Sequence, residues 1–265
     1  DAQAGFDMPS LGKIPESQAS YRKAIQIRER RAAGTAEGSV ERLELARVNL
    51  RYLVREPDDA ALARAIADVS AYVNANPNSE AGYELLAALY RRQSARELQL
   101  AKIPSAISAG RRSAELAEKR VKQFPSSEAR IALASSQETL VLAVLDGGLL
   151  PEAERLLREA ISIREEDLRA SPNNAAVVYG LVRNLLSLCD LFYSDDTAHL
   201  DRPELARATA ARMLDLAEQA YKRDTSNAHS LPNIASAHFR LAIVPGAPSP
   251  EAAVQHAKTA VSMME

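Results

Sequence analysis

Two segments of this chain align without gaps at a spacing of 47 residues, and this internal repeat limits the fold more than any other feature. The segment 104–125 reappears as 151–172. Both begin and end with proline, and the residues between them match in type: Ala106/Ala153, Arg111/Arg158 and Glu118/Glu165. A further segment, 15–29, follows the pattern of 151–165. A repeat of this length indicates a stack of similar supersecondary units.

Each copy has the pattern of an amphipathic helix with proline in its first turn, where the missing N–H is not needed. Between the copies lie stretches such as 86–94 and 181–190, in which apolar residues recur at three- and four-residue steps. No strand pattern is present. Because one helix pair cannot bury its apolar stripe alone, neighbouring pairs must stack.

The repeat therefore predicts an all-α fold, a right-handed α-solenoid of antiparallel helix pairs with repeats of about 47 residues. We expect a single helical-repeat domain over residues 1–265. Its predicted parts are an irregular segment 1–14, an unpaired helix 15–33 and helix pairs at 39–75, 78–123, 126–170, 173–223 and 226–264.

Composition excludes several classes of function. The net charge of −2 provides no basic field for a nucleic acid, and no unbroken apolar run of 18 residues is present to cross a bilayer. Cys189 is the single cysteine, so internal disulfides and cysteine-rich metal sites are excluded. We therefore expect no nucleic-acid partner and no membrane insertion. The chain begins with Asp1 rather than Met, so we interpret it as an excised or processed fragment.

The helices resemble tetratricopeptide repeats. The first helix of that family carries an aromatic residue followed by a small one, and Tyr90 with Ser94 fits this pattern. The second helix carries a small, a bulky and a small residue, as do Ala153, Leu157 and Ala160. The period is longer than the family's, which is about 34 residues, so the resemblance implies longer helices. Gln137 also departs from the pattern, since it occupies an aromatic position.

A narrower resemblance involves the run Ser-Tyr-Arg-Lys-Ala-Ile-Gln-Ile-Arg-Glu-Arg at 20–30, preceded by Pro-Ser-Leu-Gly at 9–12. This combination is similar to the C-terminal repeat region of certain large bacterial serine/threonine protein kinases. The resemblance implies a sensor or docking tail, on the extracytoplasmic side where a membrane-spanning helix precedes the repeats and in the cytoplasm otherwise. Similar repeats also follow DNA-binding regulator domains, so the attached module stays open.

The sequence contains no motif that indicates an enzyme. It has no glycine-rich kinase loop, no His-Arg-Asp and no Asp-Phe-Gly, and no phosphate-binding or His-Glu-x-x-His motif. Cys189 falls where the repeat requires a small packed residue. His229 and His238 are nine residues apart, which does not place them on one helix face as shared metal ligands. We predict no catalytic residue, no metal site and no cofactor.

The remaining candidate is a binding surface. In the repeat class that this chain resembles, first-helix side chains at fixed offsets line the inner, concave face. These offsets predict a partner-binding set made of Arg91, Leu98, Glu138, Leu142, Arg183, Leu186, Asp190, Tyr193 and Phe239. We expect a non-catalytic module, part of a larger signalling protein, that binds a protein or peptide. The alternative is a ligand- or partner-sensing regulatory domain of a bacterial serine/threonine kinase or transcription regulator.

Overall fold

The prediction of an all-helical protein is confirmed. The structure, a computed structural model, describes residues 14–53, 57–172, 174–225 and 230–263. Within these ranges it contains eleven helices and no strand. The segment for which irregular structure is predicted lies, up to residue 13, outside the described residues.

The helices follow one another along the chain, and within each of the two compact units described below successive helices pack together. They are α1 (Ile14–Ala32), α2 (Val40–Leu53), α3 (Asp59–Ala75), α4 (Glu80–Gln99), α5 (Ile103–Gln123), α6 (Ser127–Asp146), α7 (Leu150–Ala170), α8 (Ala175–Phe192), α9 (Pro203–Arg223), α10 (Ser230–Ile243) and α11 (Pro250–Ser262). The chain divides into two compact units, Asp1–Ala129 and Arg130–Glu265, with the boundary in the first turn of α6.

The helix starts show why these segments begin where they do. The Asp58 carboxylate accepts a hydrogen bond of 2.8 Å from the backbone N–H of Ala61 and so caps α3. Ser79 caps α4 and Asn174 caps α8 in the same way. Four other helices carry proline in the first turn: Pro104, Pro151, Pro203 and Pro250.

In the first unit each helix packs on the next, and α2 also contacts α4. The contact between α4 and α5 is close because the buried face of α5 consists largely of alanine, glycine and serine. Two buried hydroxyls make use of this proximity. Ser94 donates to the carbonyl oxygen of Ala106 and Ser113 donates to that of Ala87, both at 2.8 Å.

In the second unit α8 is the central helix, since it contacts α7, α9 and α10. Most of its residues are buried, which accounts for its apolar sequence. By length and composition alone, α8 is the one helix in the described residues that could cross a membrane. A core helix can have the same length and apolar composition, and the contacts of α8 with three other helices account for its apolar sequence.

Leu185 of α8 provides a test of this packing, because only 1% of its surface is exposed. Leu185→Ala should lower the free energy of unfolding by about 2–5 kcal/mol, since it removes buried methyl groups and leaves a cavity. The matched control is Leu142→Ala, a leucine of the same unit that is 52% exposed, and it should cost less than about 0.5 kcal/mol. Urea unfolding measures both. Equal effects would show that α8 is not a core helix.

Candidate functional site

Predicted binding residues of the second unit come together where α8 and α10 lie side by side. The residues that define this surface, called the α8–α10 face below, are Tyr179, Arg183, Leu186, Asp190, Phe239 and Arg240. The four on α8 recur at three- and four-residue intervals and therefore share one side of the helix. The contact between Arg240 and Asp190 places Arg240, with Phe239 next to it in the chain, beside the C-terminal end of this side of α8.

An ion pair joins the two helices of this face. Nε and Nη2 of Arg240 donate to the two carboxylate oxygens of Asp190 at 2.8 and 2.9 Å. The side chains are 23% and 33% exposed, so water screens the pair only in part. The hydrogen bond with Asp190 raises the pKa of Arg240 above its ordinary value. Asp190, predicted as a partner-binding residue, therefore has a structural partner within the protein.

Aromatic rings and arginines alternate on the same surface. The Phe239 ring is 43% exposed, and the Arg240 guanidinium lies 5.1 Å from its centroid. Arg183 is exposed and lies 5.8 Å from the centroid of the Tyr179 ring. These are cation–π distances. Exposed aromatic and arginine side chains are the types that contribute most at protein interfaces.

A cavity of about 400 Å³ lies at one end of the α8–α10 face, where α8 and α10 begin and α9 ends. Tyr179, Ser230 and Asn233 contribute polar groups to its wall, and Val178 contributes an apolar surface. Sequence reasoning did not identify these residues as a site. Tyr179 precedes Arg183 by one helical turn, and this spacing is the one signal that could have included it.

The other predicted residues have different environments. Leu142 is 52% exposed on α6, and Leu186 is half-buried on α8. Tyr193 follows the last residue of α8, with its ring centroid 5.1 Å from that of His199. Arg91 and Leu98 are half-buried on α4, which belongs to the first unit.

Glu138 is directed into the second unit. Its carboxylate accepts hydrogen bonds from Nε of Arg164 at 2.9 Å and from Nη2 of the same side chain. The two side chains are only 17% and 6% exposed. The guanidinium lies against α8 at Gly180, where an added Cβ would be 2.3 Å from Nη1. Glycine thus leaves the space for Arg164, and the pair joins α6 to α7 beneath α8.

Cys189 donates a hydrogen bond from Sγ to the carbonyl oxygen of Ala206 at 3.4 Å. It is fully buried, and burial is the main cause that raises its pKa to about 12. The charge of Asp190 adds to this effect and that of Arg240 opposes it. Ser94 makes the corresponding bond to Ala106 in the first unit. The cysteine thus has a packing and hydrogen-bonding role that a serine performs elsewhere in the chain.

No family model matches this chain, and no curated protein matches it. In the parts of the chain that the structure describes, no group of three or more His, Cys, Asp or Glu side chains is arranged to hold a metal ion. The α8–α10 face and its cavity are therefore the features of this chain that point to a function.

The pairing of Glu138 leads to a stability prediction. Glu138→Ala should lower the free energy of unfolding by about 3–5 kcal/mol, because it leaves the Arg164 charge buried without its partner. The control is Glu115→Ala, which breaks an ion pair with Arg112 in which both side chains are at least half exposed and should cost no more than about 1 kcal/mol. Guanidinium unfolding measures the difference. A loss at Glu138 no larger than that at Glu115 would contradict the buried pairing.

The buried thiol leads to a second prediction. Cys189→Ser keeps a donor toward Ala206 and should change stability by no more than about 1 kcal/mol at neutral pH. Above pH 9.0, the ordinary thiol pKa, the unfolded wild-type chain loses this proton while the folded chain retains it up to about pH 12. Wild-type stability should therefore fall relative to the serine variant by up to about 1.4 kcal/mol per pH unit in that window. Urea unfolding at pH 8 and pH 10 tests this, and a constant difference would contradict it.

Proposed function

We propose that this chain is a non-catalytic interaction module, a part of a larger signalling protein, that binds a peptide or protein segment on the first helices of its pairs. The observation that carries the proposal is the exposed Phe239 ring beside the Asp190–Arg240 pair. The exposed ring offers a partner an apolar side chain to pack against. The charges of Asp190 and Arg240 already neutralise each other, so a partner that covers them does not bury an unpaired charge.

We also propose that the helix pairs form a right-handed solenoid with repeats of about 47 residues, as in tetratricopeptide-like proteins. Both ends of α4 and α6, and both ends of α5 and α7, are 47 residues apart. Alternate helices contact one another in each unit, α2 with α4 and α8 with α10. Such contacts are expected when the first helices of successive pairs line one surface.

An ion pair between the last turn of a second helix and the first turn of the preceding helix occurs in both units and supports the same proposal. In the first unit Arg120 of α5 pairs with Glu80 at the start of α4, with Nη2 and Oε1 2.9 Å apart. In the second unit Asp167 of α7, 47 residues further on, pairs at 2.9 Å with Arg130 near the start of α6. Their partners Glu80 and Arg130 are 50 residues apart, one helical turn off the repeat spacing, and the signs of the charges are exchanged. Each unit thus links the end of a second helix to the start of its first helix by an ion pair.

A regulatory sensor is the second candidate, and the cavity beside Tyr179 is the observation that favours it. A cavity of about 400 Å³ is within the usual size range of small-molecule sites, and it combines an apolar wall with a few polar groups. A serine/threonine kinase or DNA-binding domain encoded next to this chain would favour that reading. Linkage to an unrelated domain would argue against it.

Selection of random displayed peptides on the purified protein tests the leading proposal. Peptides that bind should lose affinity by about 30-fold or more with Phe239→Ala, the loss expected when an anchor residue is removed. Because Phe239 is exposed, its replacement should leave the melting temperature nearly unchanged. Synthetic peptides and calorimetric titration provide the measurement.

The matched control is Leu205→Ala. Leu205 lies on α9, a second helix of the same unit, and is exposed to a similar extent, 42% against 43%. Its replacement should change peptide affinity by less than about twofold. Peptides that bind the Phe239 variant as tightly as the wild type, or that depend on Leu205 instead, would show that the binding face is wrongly assigned.

A further inference from the structure

Two histidines from neighbouring helices of the second unit face each other. Nδ1 of His238 on α10 lies 2.8 Å from Nδ1 of His256 on α11. The ring centroids are 5.0 Å apart, so both nitrogens lie nearly on the line between the two rings. In this arrangement the Nδ1–H of one ring donates a hydrogen bond to the lone pair on Nδ1 of the other, and either ring can be the donor.

Few other contacts hold α11 in place. Its one extensive contact within the described residues is with α10. Among its described side chains Ala260 alone is buried, while Val254 and Val261 are more than half exposed. A helix at the end of a unit with so little buried surface opens at a low cost in free energy. The hydrogen bond between the two histidines is therefore a substantial part of what holds α11 on α10.

We propose that the His238–His256 hydrogen bond is a pH-sensitive switch, which holds α11 on α10 at neutral pH and releases α11 in mildly acidic solution, when both rings are protonated. This inference does not depend on peptide binding by the α8–α10 face.

The number of protons on the pair decides whether the contact survives. A first added proton binds the free Nε2 of the donor ring and leaves the hydrogen bond intact. A second added proton must bind the accepting Nδ1, because the other nitrogen of that ring already carries a hydrogen. Two N–H groups then point at each other across 2.8 Å, neither has an acceptor, and the two positive rings repel each other. The rings must separate.

The surroundings of His238 also disfavour its charged form. Burial is the main cause that lowers its pKa, and the neighbouring His256 adds to this effect. Glu218 of α9 opposes both, and Lys222 lies 3.9 Å from the Glu218 carboxylate. The net direction is downward, so the folded protein resists protonation at this position.

The other charged groups near the pair are exposed or have partners of their own. Arg207 of α9 donates to backbone carbonyls at the end of α10, and Asp190 of α8 pairs with Arg240 of α10. Glu251 and Lys258 of α11 are exposed. Because side chains of these types keep their charge between about pH 5 and 8, the two histidines are the groups that respond to pH in this range.

Sequence reasoning missed this pair because it compared histidines along one helix. His229 lies outside the described residues. His256 is on the next helix, 18 residues after His238, and the packing of α10 on α11 brings the two rings together.

The direction of the pH response follows from the protons that each state binds. When α11 is released, both rings can bind protons near the ordinary histidine pKa of 6.5, whereas the docked pair holds only one added proton. Below pH 6.5 the released state therefore binds more protons, and lowering the pH favours it. At about pH 5 this difference should increase the fraction of released α11 about tenfold.

Hydrogen exchange of the full chain, measured by mass spectrometry at about pH 7.5 and about pH 5, tests the proposal. After correction for the intrinsic effect of pH on exchange, the protection of α11 in the wild type should fall about tenfold at the lower pH, and that of α8 less than about twofold. His256→Gln keeps a polar side chain but removes one titrating ring, so the protection of its α11 should change less than about twofold. His199→Gln, which removes a half-buried histidine beside Tyr193, is the control and should respond to pH as the wild type does.

A wild-type change below about twofold, a tenfold fall that persists in His256→Gln, or an equal loss of protection in α8 would overturn the switch. A second measurement uses the wild type alone and does not depend on the folding of a variant. NMR titration of the imidazole groups should show His238 and His256 gaining their protons in two separate steps, the second below pH 6.5. Two independent titrations near pH 6.5 would contradict the proposal.

Discussion

The structure depends on one constraint, which is that each helix must bury its apolar stripe against the helices before and after it. A single helix of about 20 residues has little stability in water without such packing. In the first unit the small residues of α5 let α4 approach closely enough for Ser94 and Ser113 to donate hydrogen bonds to backbone carbonyls of the partner helix. In the second unit α8 is covered by three neighbouring helices and is apolar along most of its length. Hydrophobic burial decides which helices pack together. The polar contacts then fix how far each helix is shifted along its neighbour.

At two positions of the repeat, different helices carry different polar side chains in the same packed place. A buried donor to a backbone carbonyl is a serine at position 94 and a cysteine at position 189. The aromatic position of the repeat is Tyr90 in α4, but in α6 it is Gln137, whose amide donates to Glu159 at 2.9 Å. At Gln137 the neighbour satisfies the amide nitrogen, while Oε1 is buried without a hydrogen-bond partner among the described residues. A buried polar group is costly mainly when it lacks a partner, so such exchanges are tolerated where the neighbouring helix supplies one. This explains why the repeats match in helix length and proline position more closely than in individual residues.

Much of the secondary structure was predictable because its signals are local. Proline in the first turn, a capping side chain and an apolar residue at every third or fourth position each act within a few residues of the chain. The contacts within the candidate site could not be predicted from such local signals. Glu138 has the spacing of a surface residue, yet it faces Arg164, because Gly180 on another helix leaves room for the guanidinium. The cavity beside Tyr179 likewise arises where three helix ends meet. These features depend on contacts between helices and on side-chain rotamers, which local patterns do not specify.

The proposed binding role relies on the adjacency of α8 and α10, for which the Asp190–Arg240 pair is the most specific contact. A double-mutant cycle with Asp190→Ala, Arg240→Ala and the double variant measures that contact directly, because it isolates the energy that the two side chains share. A partly buried pair with two hydrogen bonds should show a coupling energy of about 0.5–1.5 kcal/mol in urea unfolding. A coupling energy below about 0.2 kcal/mol would contradict the Asp190–Arg240 contact by which the α8–α10 face is defined.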